Sequence, residues 1–354
     1  MNRYFLCMPD ELVVVDDHKT SYDIQYHLHD KQPTCIAFDP FLPNRLYCGT
    51  DGQGLWVSDD GGDHWESTGA EISSSIFTSV SVSLTRKIGD YGVVYAGTEL
   101  SALFYSEDGG QSWHEWSAVR SLPSYSRWSF PPIPDTHNVR MIAEDPANGY
   151  IYASIEAGAV IRTQNGGAEW QDTKEGDPID AHTLLIHPQA PKRIYAACSD
   201  GVGFPGRSVL VSRDHGETWA HDSKGLEQHP YLFSMTAGIH DPDTLLVSAS
   251  SDAKTAYVAP FANSFIYRKV GNQPWQQVHK GLPPAEGTMI SNLTADPNEP
   301  DTFYALNNRG LYCSADKGMT WTALPVDWKE KYLNPDPNRR HRSALLVISK
   351  EFNS

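Results

Sequence analysis

The sequence predicts an all-β protein built from repeated four-stranded antiparallel units, and three observations predict it. An eight-residue pattern, S/T-x-D/N-x-G-x-x-W, recurs along the chain. An alternating apolar segment of strand length precedes each full copy. No long run of 3.6-residue periodicity argues for substantial helix.

The pattern appears first as SDDGGDHW, Ser58 to Trp65. It returns as SEDGGQSW (Ser106 to Trp113), TQNGGAEW (Thr163 to Trp170), SRDHGETW (Ser212 to Trp219) and SADKGMTW (Ser314 to Trp321). A degenerate copy, RKVGNQPW (Arg268 to Trp275), keeps only the Trp. The six tryptophans are spaced by 48, 57, 49, 56 and 46 residues, a period that implies stacked supersecondary units. Each copy reads as a hairpin turn after a strand (GLWVS, ALFYS, AVIRT, VLVSR, GLYCS). Asp bonds nearby backbone N–H groups, Gly takes a positive φ, Ser closes the loop and Trp covers it. Asp60, Asp108, Asn165, Asp214 and Asp316 are therefore structural in this reading, because no reaction needs one acid in every repeat.

These copies resemble the Asp-box, or bacterial neuraminidase, repeat over roughly residues 33 to 328. Families sharing it include sialidases, xyloglucan-cleaving glycosidases, the sortilin ectodomain and a photosystem II assembly factor. The resemblance implies a β-propeller, with the boxes at the blade periphery, more firmly than it implies an activity. It does not extend to a sialidase site: Arg140 is the single arginine in an obvious inner-strand register, and no Tyr–Glu pair is assignable to the mouth.

The blades follow in order, each with strands A to D. The first has TCIAFDP, RLYCGT, GLWVSDD and HWEST. Six units are expected at about 33-68, 75-118, 138-173, 180-222, 230-279 and 287-325. Residues 3-28 supply three further strands and 341-350 one, which together make a seventh blade closed by both termini, so that no edge is left unpaired. The expectation is a single seven-bladed β-propeller domain spanning 1-354.

The rest of the composition narrows function. The net charge of -16 argues against nucleic acid and anionic lipid as partners. The densest basic run is the short NRRHR, Asn338 to Arg342. With no long apolar stretch and no signal-type N-terminus, the chain reads as cytoplasmic. Five cysteines, with no CxxC, read as buried free thiols.

Loop lengths are unequal. The boxes and most A–B turns are terse. The B–C and D–A connections expand at Val119 to Asn138, in CSDGVGFPGRS, in SSDAKTAYVAPFANS and in PVDWKEKYLNPDPNRRH, all expected on one rim and favouring function there. An acid follows strand B in five repeats: Asp51, Glu99, Glu156, Asp200 and Asp252. Histidines His29, His137, His182, His229 and His341 fall in D–A connections or at the start of strand A. Arg140 and His182 share one register in neighbouring blades. Trp128 and Phe204, among other loop aromatics, either contact a flat ligand or pack the loops.

The expected function is a hydrolase or lyase acting on a small molecule or glycan at this mouth. His182, His137, Arg140, Glu156 and Asp200 would be catalytic, and Asp51, Glu99, Asp252, Trp128, Phe204 and His229 would bind substrate. Assistance from a divalent metal (Ca, Zn or Mn) at His137, His182 and His229 is a further expectation. The alternative is a non-catalytic propeller that presents the same face to a protein partner.

Overall fold

A computed structural model of the chain describes residues 2–131, 133–336 and 343–349, and among these the strands form seven antiparallel sheets. Blade one comprises Pro33–Asp39, Leu42–Thr50, Leu55–Ser58 and Glu66–Thr68; blade two comprises Phe77–Ile88, Tyr91–Thr98, Leu103–Ser106 and His114–Glu115. Blade three has Val139–Glu144, Ile151–Ile155 and Ala159–Thr163. Blade four has Ala181–Ile186, Ile194–Cys198, Val209–Ser212 and Ala220–His221. Blade five runs Tyr231–Gly238, Asp241–Ser250, Ser264–Val270 and Gln276–Val278; blade six runs Asn292–Ala295, Phe303–Asn307, Gly310–Ser314 and Thr322–Ala323. The seventh sheet has the order Ala344–Ser349, Asn2–Cys7, Leu12–Asp17, Tyr22–His27, one strand from the C-terminus and three from the N-terminus as the strand count required. The protein is an all-β seven-bladed propeller.

Two details differ from expectation. Blade three has three strands, and its fourth is reduced to a bridge between Arg162 and Gln171. The insertions of blades four and five are not wholly irregular: they carry the short helices Asp200–Gly203 and Ala253–Tyr257. His341 and the run Asn338 to Arg342 lie outside the described residues.

The boxes fold as their chemistry dictates. Ser58 Oγ donates to Asp60 at 2.9 Å and accepts the Gly62 N–H at 2.9 Å, while Asp60 Oδ1 accepts the amides of Asp63 and His64 at 3.0 and 2.9 Å. The same hydroxyl–carboxylate and hydroxyl–amide bonds recur around Ser106, Ser212 and Ser314. At Thr163 the partner is Asn165, so the motif needs an acceptor oxygen and not a charge.

The Asp-Pro turns between strands A and B have a role the sequence did not disclose. Asp39 is fully buried; its Oδ1 accepts the Phe41 amide and its Oδ2 the Gly92 amide of blade two, both at 2.8 Å. Asp296 likewise accepts from Tyr304 at 2.8 Å and from Asn2 at 2.6 Å, joining blade six to the seventh blade.

The chain divides into two compact units. One comprises Met1–Tyr26, Ala197–Leu210 and His221–Ser354; the other comprises His27–Ala196 and Val211–Ala220. The first has a core around Tyr4, Leu6, Val15, Leu306 and Val347, and the second one around Tyr95, Trp116, Trp128, Ile142 and Trp170. None of the five cysteines is in a disulfide, and three of them are buried. Burial pushes the Cys313 thiol up to about 11, which favours its protonated form at neutral pH.

Candidate functional site

The second unit repeats one backbone device at the B–C end of its blades. The amide after strand B returns to the carbonyl just before or at the start of strand A: Asp51 to Gln32, Glu99 to Ile76 and Glu156 to Asn138, at 2.9, 3.2 and 2.9 Å. A later amide reaches the corresponding carbonyl of the next blade, as Gly52 does to Ser75, Ser101 to His137 and Gly158 to Ile179. This geometry sets the matched positions of the acids.

Strand A adds a second device. In blades one and two its second residue is a threonine at a bulge, between Pro33 and Cys35 and between Phe77 and Ser79. Thr34 Oγ1 reaches the carbonyls of Gly49 and Phe77, and Thr78 Oγ1 those of Gly97 and Val139, so each hydroxyl ties its blade to the next. In blade three the residue in this register is Arg140, again at a bulge, which re-aims its side chain. In blade four it is His182.

Replacing two stapling threonines with Arg and His builds a buried polar cluster. Arg140 Nε lies 2.9 Å from Glu156 Oε2 in an ion pair whose side chains are only 10% and 8% exposed. His182 Nε2 lies 3.6 Å from Asp180 Oδ1, and Asp180 also accepts the Ala157 amide at 2.9 Å. Among the described residues, Glu156, Asp180 and His182 are the group of metal-competent donors, their atoms within 4.8 Å of one another. Asp180 is the member that sequence reasoning missed. Its signal was present: Asp180 and His182 alternate at a strand start and so share a face.

Three donors match the number a catalytic zinc takes from protein. Glu156, however, already receives the Arg140 guanidinium, which supplies the positive charge a divalent ion would bring. Glu156 and His182 are buried, and Asp180 is half-buried with a side chain 17% exposed.

The other expected metal ligands are elsewhere and engaged. His137 Nδ1 accepts the Ser101 amide at 3.2 Å, and its ring packs edge-on to Tyr125 and Trp128. Burial, then the Arg120 charge, push its pKa down. In the first unit His229 stacks on Phe265 with centroids 3.8 Å apart and bonds the Tyr267 hydroxyl at 2.6 Å; burial lowers its pKa too. Of the expected triad His137, His182 and His229, only His182 lies in the donor group found among the described residues, Glu156, Asp180 and His182.

The remaining expected site residues take these positions. Trp128 is 4% exposed, its indole N–H donating to Ser124 at 2.9 Å, and it anchors the long loop instead of presenting a ligand surface. Asp252 is the N-cap of Ala253–Tyr257, accepting the Thr255 amide at 2.8 Å in a reciprocal capping box. Asp200 opens its short helix with its side chain buried, 3.5 Å from Arg207. Glu99 is buried and Asp51 half-buried. Trp328 donates to the Asn308 carbonyl at 2.7 Å and packs its loop.

Exposed apolar residues mark what remains of the rim. In the first unit Val202, Phe204 and Phe261, at 49%, 56% and 53% exposure, project from the insertions of blades four and five, with Lys254 Nζ 3.7 Å from the Phe261 ring centroid. In the second, Leu100, Ile133 and Ile179 are exposed in B–C and D–A connections. No helix of the described residues is long and apolar enough to cross a membrane.

A family model, BNR/Asp-box repeat, matches residues 104–115, the box of blade two. No curated protein matches the sequence. Among solved structures, an ancestral GH74 enzyme is similar at 18% identity and TM-score 0.64, with 85% of this chain and 39% of that one covered; the present chain thus spans about two fifths of that enzyme. YCF48 bound to D1 peptide is similar at 21% identity and TM-score 0.57, over 85% and 84% of the two chains. A chain of a nidogen/laminin complex is similar at 10% identity and TM-score 0.52, over 83% and 98%. At these identities the likeness is one of fold.

Proposed function

We propose that this chain of Asp-box repeats, folded as a seven-bladed propeller, is a binding module that presents its loop-bearing end to a polypeptide partner. One contrast carries the reading: the acid–base candidates are engaged in ion pairs, caps and ring stacks, whereas the insertions of blades four and five expose Val202, Phe204 and Phe261. Exposed aromatics at loop tips are the side chains that anchor protein interfaces. The charge of -16 favours a basic partner, steered electrostatically and held by apolar contacts. The similar structures include YCF48 bound to D1 peptide, which accords with this reading.

The test is selection of a random peptide library on the full chain and on a Phe204→Ser/Phe261→Ser variant. Enriched peptides should carry Lys or Arg beside apolar residues and should lose binding to the variant. Enrichment of acidic peptides, or equal binding to both proteins, would sink the proposal.

The hydrolase reading retains one specific observation, the Glu156–Asp180–His182 group. It predicts turnover in a glycoside and ester substrate panel that is abolished by Glu156→Gln in a folded protein and, if metal-assisted, by chelator. Such turnover would displace the binding reading.

A further inference from the structure

The first unit contains a pocket of about 320 Å³ whose lining does not include Val202, Phe204 or Phe261. It opens between the C and D strands of blade five and the connection that follows them. Its volume falls within the range of ligand pockets, roughly 300–1,000 Å³. Phe265, Ile266, Val278, Leu282 and Pro283 give it apolar walls. Ser264, Gln277, Thr288, Ser291 and Asn307 supply hydroxyls and amides, and the one ionisable lining residue is the exposed His279.

Two polar groups are set for a ligand. Ser264 is 7% exposed, and its hydroxyl has no hydrogen-bond partner among the described residues. A buried unsatisfied hydroxyl is costly and calls for a reason. Asn307 Nδ2 donates to Ser291 Oγ at 3.2 Å, which leaves the Ser291 proton to be donated. The nearby Arg309 donates to Thr288 Oγ1 at 3.1 Å and to the Glu286 carbonyl at 3.2 Å and is not among the residues that line the pocket.

We infer that this pocket binds a neutral, monosaccharide-sized polyol. Uncharged hydroxyl and amide groups set among apolar walls match a pyranose, whose C–H faces are apolar and whose edges donate and accept hydrogen bonds. Phe204 and Phe261, which carry the partner-binding proposal, do not line the pocket, so the two proposals are tested by different substitutions.

Saturation-transfer NMR and calorimetry on the full chain, with glucose, galactose and xylose against glucuronate and glucosamine, test it. Binding of at least one neutral sugar, with the charged analogues silent, is the expected result. Ser264→Ala should weaken that binding roughly tenfold, the scale of one hydrogen bond to a buried group, without lowering the urea midpoint. Ala285→Trp, which fills the mouth, should abolish it. No transfer from any neutral pyranose, equal binding of charged analogues, or undiminished binding by both variants would overturn the inference.

Discussion

At Asp214 burial disfavours the carboxylate, yet hydrogen bonds from the Thr218 hydroxyl and amide and from Ser212 outweigh it and hold the pKa at about 2. Asp60 sits at about 2 for the same reason, with His64 as its main donor. Both folded values lie below the ordinary Asp value of about 3.9. The stability each contributes is therefore complete above that value and is lost as pH falls through the folded pKa. Asp60→Asn/Asp214→Asn should flatten the decline of the urea midpoint between about pH 4 and pH 2; an unchanged decline would assign it to other carboxylates. Blade three shows that the amide is tolerated, since Asn165 already makes the box bonds. The Arg140–Glu156 pair is a harsher case because both groups are buried. Arg140→Met alone should cost about 3–5 kcal/mol by stranding the carboxylate, and Arg140→Met/Glu156→Gln should recover most of it. A double variant no more stable than the single one would show that Glu156 is held by other groups.

At the scale of the strand, close approach between blades decides which residues are allowed. A Cβ on Gly97 would lie 2.5 Å from Val139 Cβ, so strand B of blade two is pressed against strand A of blade three. Gly97→Ala should destabilise by about 1–3 kcal/mol through overpacking, and Gly97→Ala/Val139→Gly, which removes the opposing Cβ, should restore part of it, both read by urea unfolding. The strands and boxes were legible in the sequence because their signals are local: alternation, a turn acid, a glycine at positive φ. The bulge that aims Arg140, the Asp39 bond to Gly92 and the burial of Trp128 were not legible, since each is set by a neighbouring blade or loop. The candidate site divided the same way. The shared register of Arg140 and His182 could be read from the repeats, but their partners could not.

For the molecule as a whole, the sequence implied a seventh blade built from both ends of the chain, and the structure pairs Asn2–Cys7 with Ala344–Ser349 along its full length. That pairing makes the last described strand essential to the first. Val347 and Ile348 are 5% and 9% exposed, and Val347 packs in the core cluster that holds Tyr4 and Leu6. A chain cut after Ser343 loses these contacts and leaves Asn2–Cys7 as an unpaired apolar edge, open to another chain. Burial of two such side chains is worth about 3–6 kcal/mol. The truncated protein should therefore unfold at markedly lower urea and sediment as a concentration-dependent mixture. Added peptide Ser343–Ser349 should restore the midpoint by occupying the vacated strand position. Intact stability after the shorter cut would mean that the terminal strand is not what holds the seventh blade together.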